Sequence, residues 1–114
     1  MQRRLVFLLL AFLTGCARNE IRLSNEGARD WQQIEVEAAG HVFQIQQIKG
    51  GETETLQFKS KAEGGGLVRG SLEGEKREAG FGYFTPNLVD QYEIIFRDDG
   101  TIKIQQGAGA GGQP

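Results

Sequence analysis

The stretch Ile34-Glu35-Val36-Glu37-Ala38-Ala39-Gly40-His41-Val42-Phe43-Gln44-Ile45 decides the fold class of this chain. Ile34, Val36 and Ala38 fall on one face of an extended segment and two carboxylates fall on the other. That period of two is the signature of a strand with one buried side. Ala39-Gly40 makes a tight connection, because glycine adopts positive φ without steric cost, and Val42 to Ile48 forms the return strand. Phe43 and Ile45 share a face of that return, whereas Ile48 falls on the other. A bulge or a strand end is therefore expected near Gln47.

Working outward, Ile21-Arg22-Leu23-Ser24 alternates in the same way, and Asn25-Glu26-Gly27 closes it with turn chemistry. Trp31, the only tryptophan, is expected to plug one end of the core. On the other side, Lys49 to Glu52 reads as a loop. Thr53 to Ser60 reads as a strand with Leu56 and Phe58 inward. Gly64-Gly65-Gly66 breaks the chain, Leu67 to Leu72 forms a short strand weakened by Gly70, and the charged run Glu73 to Glu78 is expected to be a solvated loop. Phe81-Gly82-Tyr83-Phe84-Thr85-Pro86 is the densest aromatic stretch, followed by a turn over Asn87 to Gln91. Tyr92-Glu93-Ile94-Ile95-Phe96 is the strongest strand, and Asp98-Asp99-Gly100 turns it into Thr101 to Ile104. From Gly107 the tail holds only Gly, Ala, Gln and Pro, has nothing to bury, and is expected to be disordered. The sum is an all-β chain of about seven strands, a single β-sandwich; on spacing alone a closed barrel remains the alternative.

The first sixteen residues carry a different message. Arg3 and Arg4 precede an unbroken apolar run, Leu5 to Leu13, and then Leu13-Thr14-Gly15-Cys16. Charge, apolar segment and small residues in that order make a secretory signal; nine apolar residues fall short of the roughly twenty that span a bilayer. The ending resembles the lipobox of bacterial lipoproteins. That resemblance implies a signal peptide over 1–15 and a lipid-bearing Cys16 as the first mature residue; with the strand pattern and the composition of the tail, the chain then divides into a tether over 16–20, the sandwich over 21–106 and the tail over 107–114. Cys16 is the only cysteine, so no disulfide forms within the chain; pairing between chains and a free thiol are the competing readings. More than one acyl chain suffices for stable anchoring. Ala17, where an Asp would favour inner-membrane retention, implies for a Gram-negative host an outer-membrane anchor facing the periplasm.

Residues 21–72 resemble the bacterial immunoglobulin-like modules typified by the CARDB adhesion-related family. The likeness rests on Asn25-Glu26-Gly27, the alternation of Ile34 and Val36, Gly40, and Gly51-Glu52-Thr53 leading to Leu56 and Phe58. It implies an immunoglobulin-like sandwich and carries over no functional residue. The acidic, Asn-rich ending of those modules is replaced here by Phe81 to Pro86.

The whole chain has a formal charge of −2, and loss of Arg3 and Arg4 leaves about −4. Such a balance argues against nucleic acid and against an electrostatic grip on anionic lipid, so attachment falls to the acyl chains. His41, the only histidine, sits in a turn with no recognisable catalytic or metal-binding partners. The glycine clusters lack the Lys-Ser/Thr ending of phosphate loops, and Asp98-Asp99 lacks the spaced oxygen ligands of a calcium loop. No cofactor and no metal is expected. Among the aromatics, adjacent Tyr83 and Phe84 point to opposite faces of a strand, so one lies outside the core. Tyr83, Phe84 and Pro86 are thus the candidate contacts for a protein partner. The reading is a non-enzymatic, lipid-anchored envelope module that binds an envelope protein or plays a structural part; the alternative is a periplasmic enzyme inhibitor or immunity lipoprotein.

Overall fold

In a computed structural model describing residues 18–86 and 89–107, the chain is an all-β sandwich. Among the described residues eight strands run in chain order: β1 (Asn19–Asn25), β2 (Trp31–Ala38), β3 (His41–Ile48), β4 (Thr53–Phe58), β5 (Gly64–Leu72), β6 (Glu75–Phe84), β7 (Gln91–Phe96) and β8 (Ile102–Gln106). Sheet I has the order β4-β1-β7-β8 and sheet II the order β3-β2-β5-β6. β1 and β7 are parallel and every other pair is antiparallel.

The inner faces are the apolar faces of the alternating segments. Ile21, Leu23, Ile94 and Phe96 from sheet I meet Trp31, Ile34, Val36, Val68 and Phe84 from sheet II in one fully buried cluster. Two sites break the simple alternation in the same way. Trp31 and Ile34 stand three apart yet both face inward, because β2 slips against β5 between Gln32 and Glu35 and Gln33 takes φ 53°. β3 stays in register with β2 through this irregularity, with Trp31 opposite Ile48 and Ile34 opposite Ile45. Ile45 and Ile48 therefore share the inner face, which is the conflict that the sequence places near Gln47. Phe81 and Phe84 repeat the device: β6 slips against β5 between Gly65 and Gly66, and Gly82 takes φ 61°. A Cβ on Gly82 would lie 2.5 Å from the Tyr92 ring, so glycine is required there for space as well as for conformation.

Two connections differ from expectation. Glu73 to Glu78 is not a solvated loop: Glu73 (φ 51°) and Gly74 (φ 85°) form a two-residue hairpin turn, and β6 starts at Glu75. Charged side chains suit that segment because β6 is an edge strand with both faces wet at this end. The Gly64-Gly65-Gly66 run likewise belongs to β5. Of the turn expected over Asn87 to Gln91, Asn87 and Leu88 lie outside the described residues, as do the signal segment, Cys16 and residues 108–114.

The connectivity defines two poles. At the N-terminal pole lie the start of β1, the β2–β3 hairpin, and the β4–β5 and β6–β7 connections. The distal pole holds the β1–β2, β3–β4 and β7–β8 loops and the Glu73-Gly74 turn.

Candidate functional site

The N-terminal pole gathers the residues singled out from the sequence. β1 begins at Asn19, inside the segment expected to be a tether. Asn19 is buried; its amide donates to Ser60 Oγ (3.0 Å) and its carbonyl oxygen accepts the Asp90 N–H (2.8 Å). Glu20 N–H donates to the Asp90 carbonyl at 3.0 Å. Only Ala17 and Arg18 then separate Cys16 from the folded domain, a reach of at most about 10 Å.

Tyr83, Phe84 and Pro86 do not act together. Phe84 is fully buried and has ring contacts with Phe58 (5.6 Å), Tyr92 (5.4 Å) and Phe81 (6.0 Å). It is a core residue and leaves the set of candidate contacts. Tyr83, next to last in β6, is 58% exposed, and Pro86 is exposed. Near the same pole Val42, second in β3, is 61% exposed; Val42 and Tyr83 are the large hydrophobic side chains that stand out in solvent among the described residues. His41 is half-buried, stacks on Phe43 (5.6 Å, 17°), and its Nε2 lies 2.6 Å from the Lys59 carbonyl. Its place is structural, closing a ring chain that continues from Phe58 to Phe84. Arg18, Lys59 and Lys61 are exposed here, and none of them is ion-paired among the described residues.

A second feature, on the outer face of sheet II, was invisible in the sequence because it depends on register. Arg69 lies opposite Glu35 on one side and Glu78 on the other. Its guanidinium reaches Glu37 at 2.9 Å, Glu35 at 3.2 Å and Glu78 at 3.4 Å. The hydrogen bond from Arg69 holds the Glu37 carboxyl below its ordinary pKa, and the same bond raises that of Arg69. Beside this hub an open groove of about 500 Å³ is lined by Gln33, Glu35, Arg69, Ser71, Lys76 and Glu78. The glutamates are engaged by arginine, so the hub is a cross-strand brace. Among the described residues, no group of three His, Cys, Asp or Glu is placed to hold a metal ion.

At the distal pole the acidic residues bond inward. The Asp98 carboxylate accepts the N–H groups of Ala28 and Arg29, each at 3.0 Å, and these bonds lower its pKa. A Cβ on Gly27 would lie 2.0 Å from Asp98 Oδ1; glycine is what lets the carboxylate in. Asp99 accepts from both the backbone N–H (3.0 Å) and hydroxyl (2.7 Å) of Thr101, again with a lowered pKa. Buried Asn25 donates to the carbonyls of Arg29 (2.7 Å) and Ile48 (2.9 Å) and accepts the Gly27 N–H (3.0 Å). The Asp98-Asp99-Gly100 segment is thus both a hairpin turn and a clamp on the β1–β2 loop. The clamp joins residues 70 positions apart, with no sequence signal beyond an Asp and a distant Gly.

No family model matches the sequence, and no match is found among curated proteins. Among solved structures, the chain is similar to the NMR structure of a protein from Eubacterium rectale, with a TM-score of 0.56 and 18% identity over 83% of this chain and 93% of that one. It also matches a structure described as "Trapped Toxin", with a TM-score of 0.43 and 14% identity, over 79% of this chain and 23% of that one. The first likeness supports the fold and nothing beyond it.

Proposed function

We propose that this chain is a lipid-anchored lipoprotein of the bacterial cell envelope, acting as a non-catalytic protein-binding or structural module. One observation carries the reading: a charged start and an apolar run end in Leu13-Thr14-Gly15-Cys16, and the folded domain begins at Asn19. A signal, a lipid-accepting position and a domain then follow one another with no residues wasted. The lowered pKa values of Glu37, Asp98 and Asp99 each have a local structural cause: the bond from Arg69, the N–H groups of Ala28 and Arg29, and the bonds from Thr101.

The test is Cys16→Ser in bacterial cells, followed by fractionation and mass measurement of the N-terminal peptide. The native protein should partition with membranes and carry acyl mass on Cys16, while the variant is soluble or unprocessed. Acyl-bearing membrane material from the variant overturns the reading. A second reading, an inhibitor or immunity lipoprotein for a basic periplasmic enzyme, draws on the distal loops, which hold six carboxylates against three basic side chains. Crosslinking in cells distinguishes them: a resident envelope partner supports the first, and a basic hydrolase held by the distal loops supports the second.

A further inference from the structure

We propose that the N-terminal pole is the face of the domain that lies against an anionic phospholipid surface, with Arg18, Lys59 and Lys61 at the headgroups and Tyr83 at the interfacial layer. The proposal rests on the lipoprotein reading and adds an orientation to it.

Three observations converge. First, the reach from Cys16 to Asn19 is at most about 10 Å, and Asn19 is pinned by Ser60 and Asp90. A lipid on Cys16 would therefore keep this pole within about 10 Å of the bilayer and leave its side chains to set how closely that face lies on the lipid. Second, charge divides between the poles although the whole chain is acidic. The connecting segments of the N-terminal pole carry exposed Arg18, Lys59 and Lys61 against Glu63 and the buried Asp90. The distal loops carry six carboxylates against three basic residues. Basic side chains within a Debye length of an anionic leaflet are attracted to it, and acidic ones are repelled, so both ends favour the same orientation. The net charge, which argues against electrostatic contact with lipid, conceals this separation. Third, Tyr83 and Val42, the exposed large hydrophobics, lie one residue from the strand ends nearest this pole. A tyrosine with an apolar ring and a polar tip suits the headgroup layer.

The test uses the protein purified from the membranes of expressing bacteria and reconstituted into vesicles of phosphatidylethanolamine and phosphatidylglycerol bearing brominated acyl chains, which quench tryptophan at short range. Trp31 is an internal control, because it stands at the distal end of β2, about 23 Å along the strand from Ala38. In the native protein its emission should be unchanged by bromination. In Tyr83→Trp, the emission added by the new side chain should be largely lost. Adding Lys59→Glu and Lys61→Glu, both at exposed positions, or raising the salt, should restore much of it. An unquenched Tyr83→Trp protein that does carry acyl mass on Cys16 overturns the orientation and leaves the lipoprotein reading standing. Quenching that neither charge reversal nor salt alters overturns the role of the lysines. Absence of acyl mass removes the lipoprotein reading, and the orientation with it.

Discussion

At the distal pole most charged side chains bond to loop backbone or to one another while staying in solvent; at the N-terminal pole Arg18, Lys59 and Lys61 are exposed and not ion-paired among the described residues. Asp98, Asp99, Asp30 and Glu52 each accept a backbone N–H in the distal loops, and Arg29 and Arg97 pair with Glu73 and Glu26. The two ends also differ inside. Towards the N-terminal pole the core is a chain of rings running from His41 and Phe43 through Phe58 and Phe84 to Phe81 and Tyr92, joining both sheets. Towards the distal pole, among the described residues, the ring contact is Trp31 on Phe96 at 4.9 Å. The difference teaches how a small sandwich without a disulfide closes its ends. One end is held by aromatic area, with its loop lysines outside the polar network. The other is held by polar bonds among loop side chains and backbone, whose carboxylates keep their charge.

The largest effect expected from breaking this contrast is Phe84→Ala. Removing a fully buried ring that touches three others should cost about 3–5 kcal/mol, from lost burial and the cavity left behind. In a domain with total stability of about 5–15 kcal/mol, urea unfolding should show a midpoint lowered by a large fraction. A midpoint close to the native value would mean that the N-terminal pole is not held by its rings.

Asn25→Ala comes next and probes the other end. Asn25 is 2% exposed and satisfies two carbonyls and one N–H, so its loss strands buried polar groups, at about 2–3 kcal/mol in all. Asn19→Ala, with two bonds lost instead of three, should cost about 1–2 kcal/mol. Equal costs in chemical denaturation would erase the polar asymmetry drawn between the poles.

The residues that were legible in advance are those whose signal is local. Alternation gave Ile34-Glu35-Val36-Glu37-Ala38 as a strand, and Ala39-Gly40 as a hairpin with φ 54° and 86°. The clash of faces between Ile45 and Ile48 announced an irregularity. The parity of neighbours separated Tyr83 from Phe84, but parity alone does not say which ring is inside; Gly82, one left-handed residue, settles that by placing Phe81 and Phe84 on the same face. Glu73 to Glu78 misled because charge density resembles a loop, while an edge strand tolerates it equally well. The Arg69 hub and the Asp98 clamp were not legible at all, since each depends on the pairing of strands distant in the chain. The polarity of charge stayed hidden for the same reason: Arg18, Lys59 and Lys61 converge only once β1 and β4 are paired.

The smallest effect is the one most specific to the distal clamp, and it is set by pH. The folded-state pKa values of Asp98 and Asp99 lie below the ordinary 3.8, chiefly because backbone N–H groups and Thr101 bond their ionised forms. A carboxylate with a depressed folded pKa adds stability that is complete above its unfolded value and is lost as pH falls through the folded one. Protection of the Ala28 and Arg29 amides from hydrogen exchange, corrected for intrinsic rates, should therefore hold at neutral pH and fall only below about pH 4. In Asp98→Ala it should be low already at neutral pH and should lose most of that acid dependence. Lys61 N–H donates to the Ala39 carbonyl at 2.8 Å at the other pole, with no carboxylate in the bond, so its protection should not follow this pH profile in either protein. If Lys61 lost protection together with Ala28 and Arg29, the opening would be global. The clamp would then be one bond among many in a single cooperative unit, and the two poles would differ in composition but not in how they come apart.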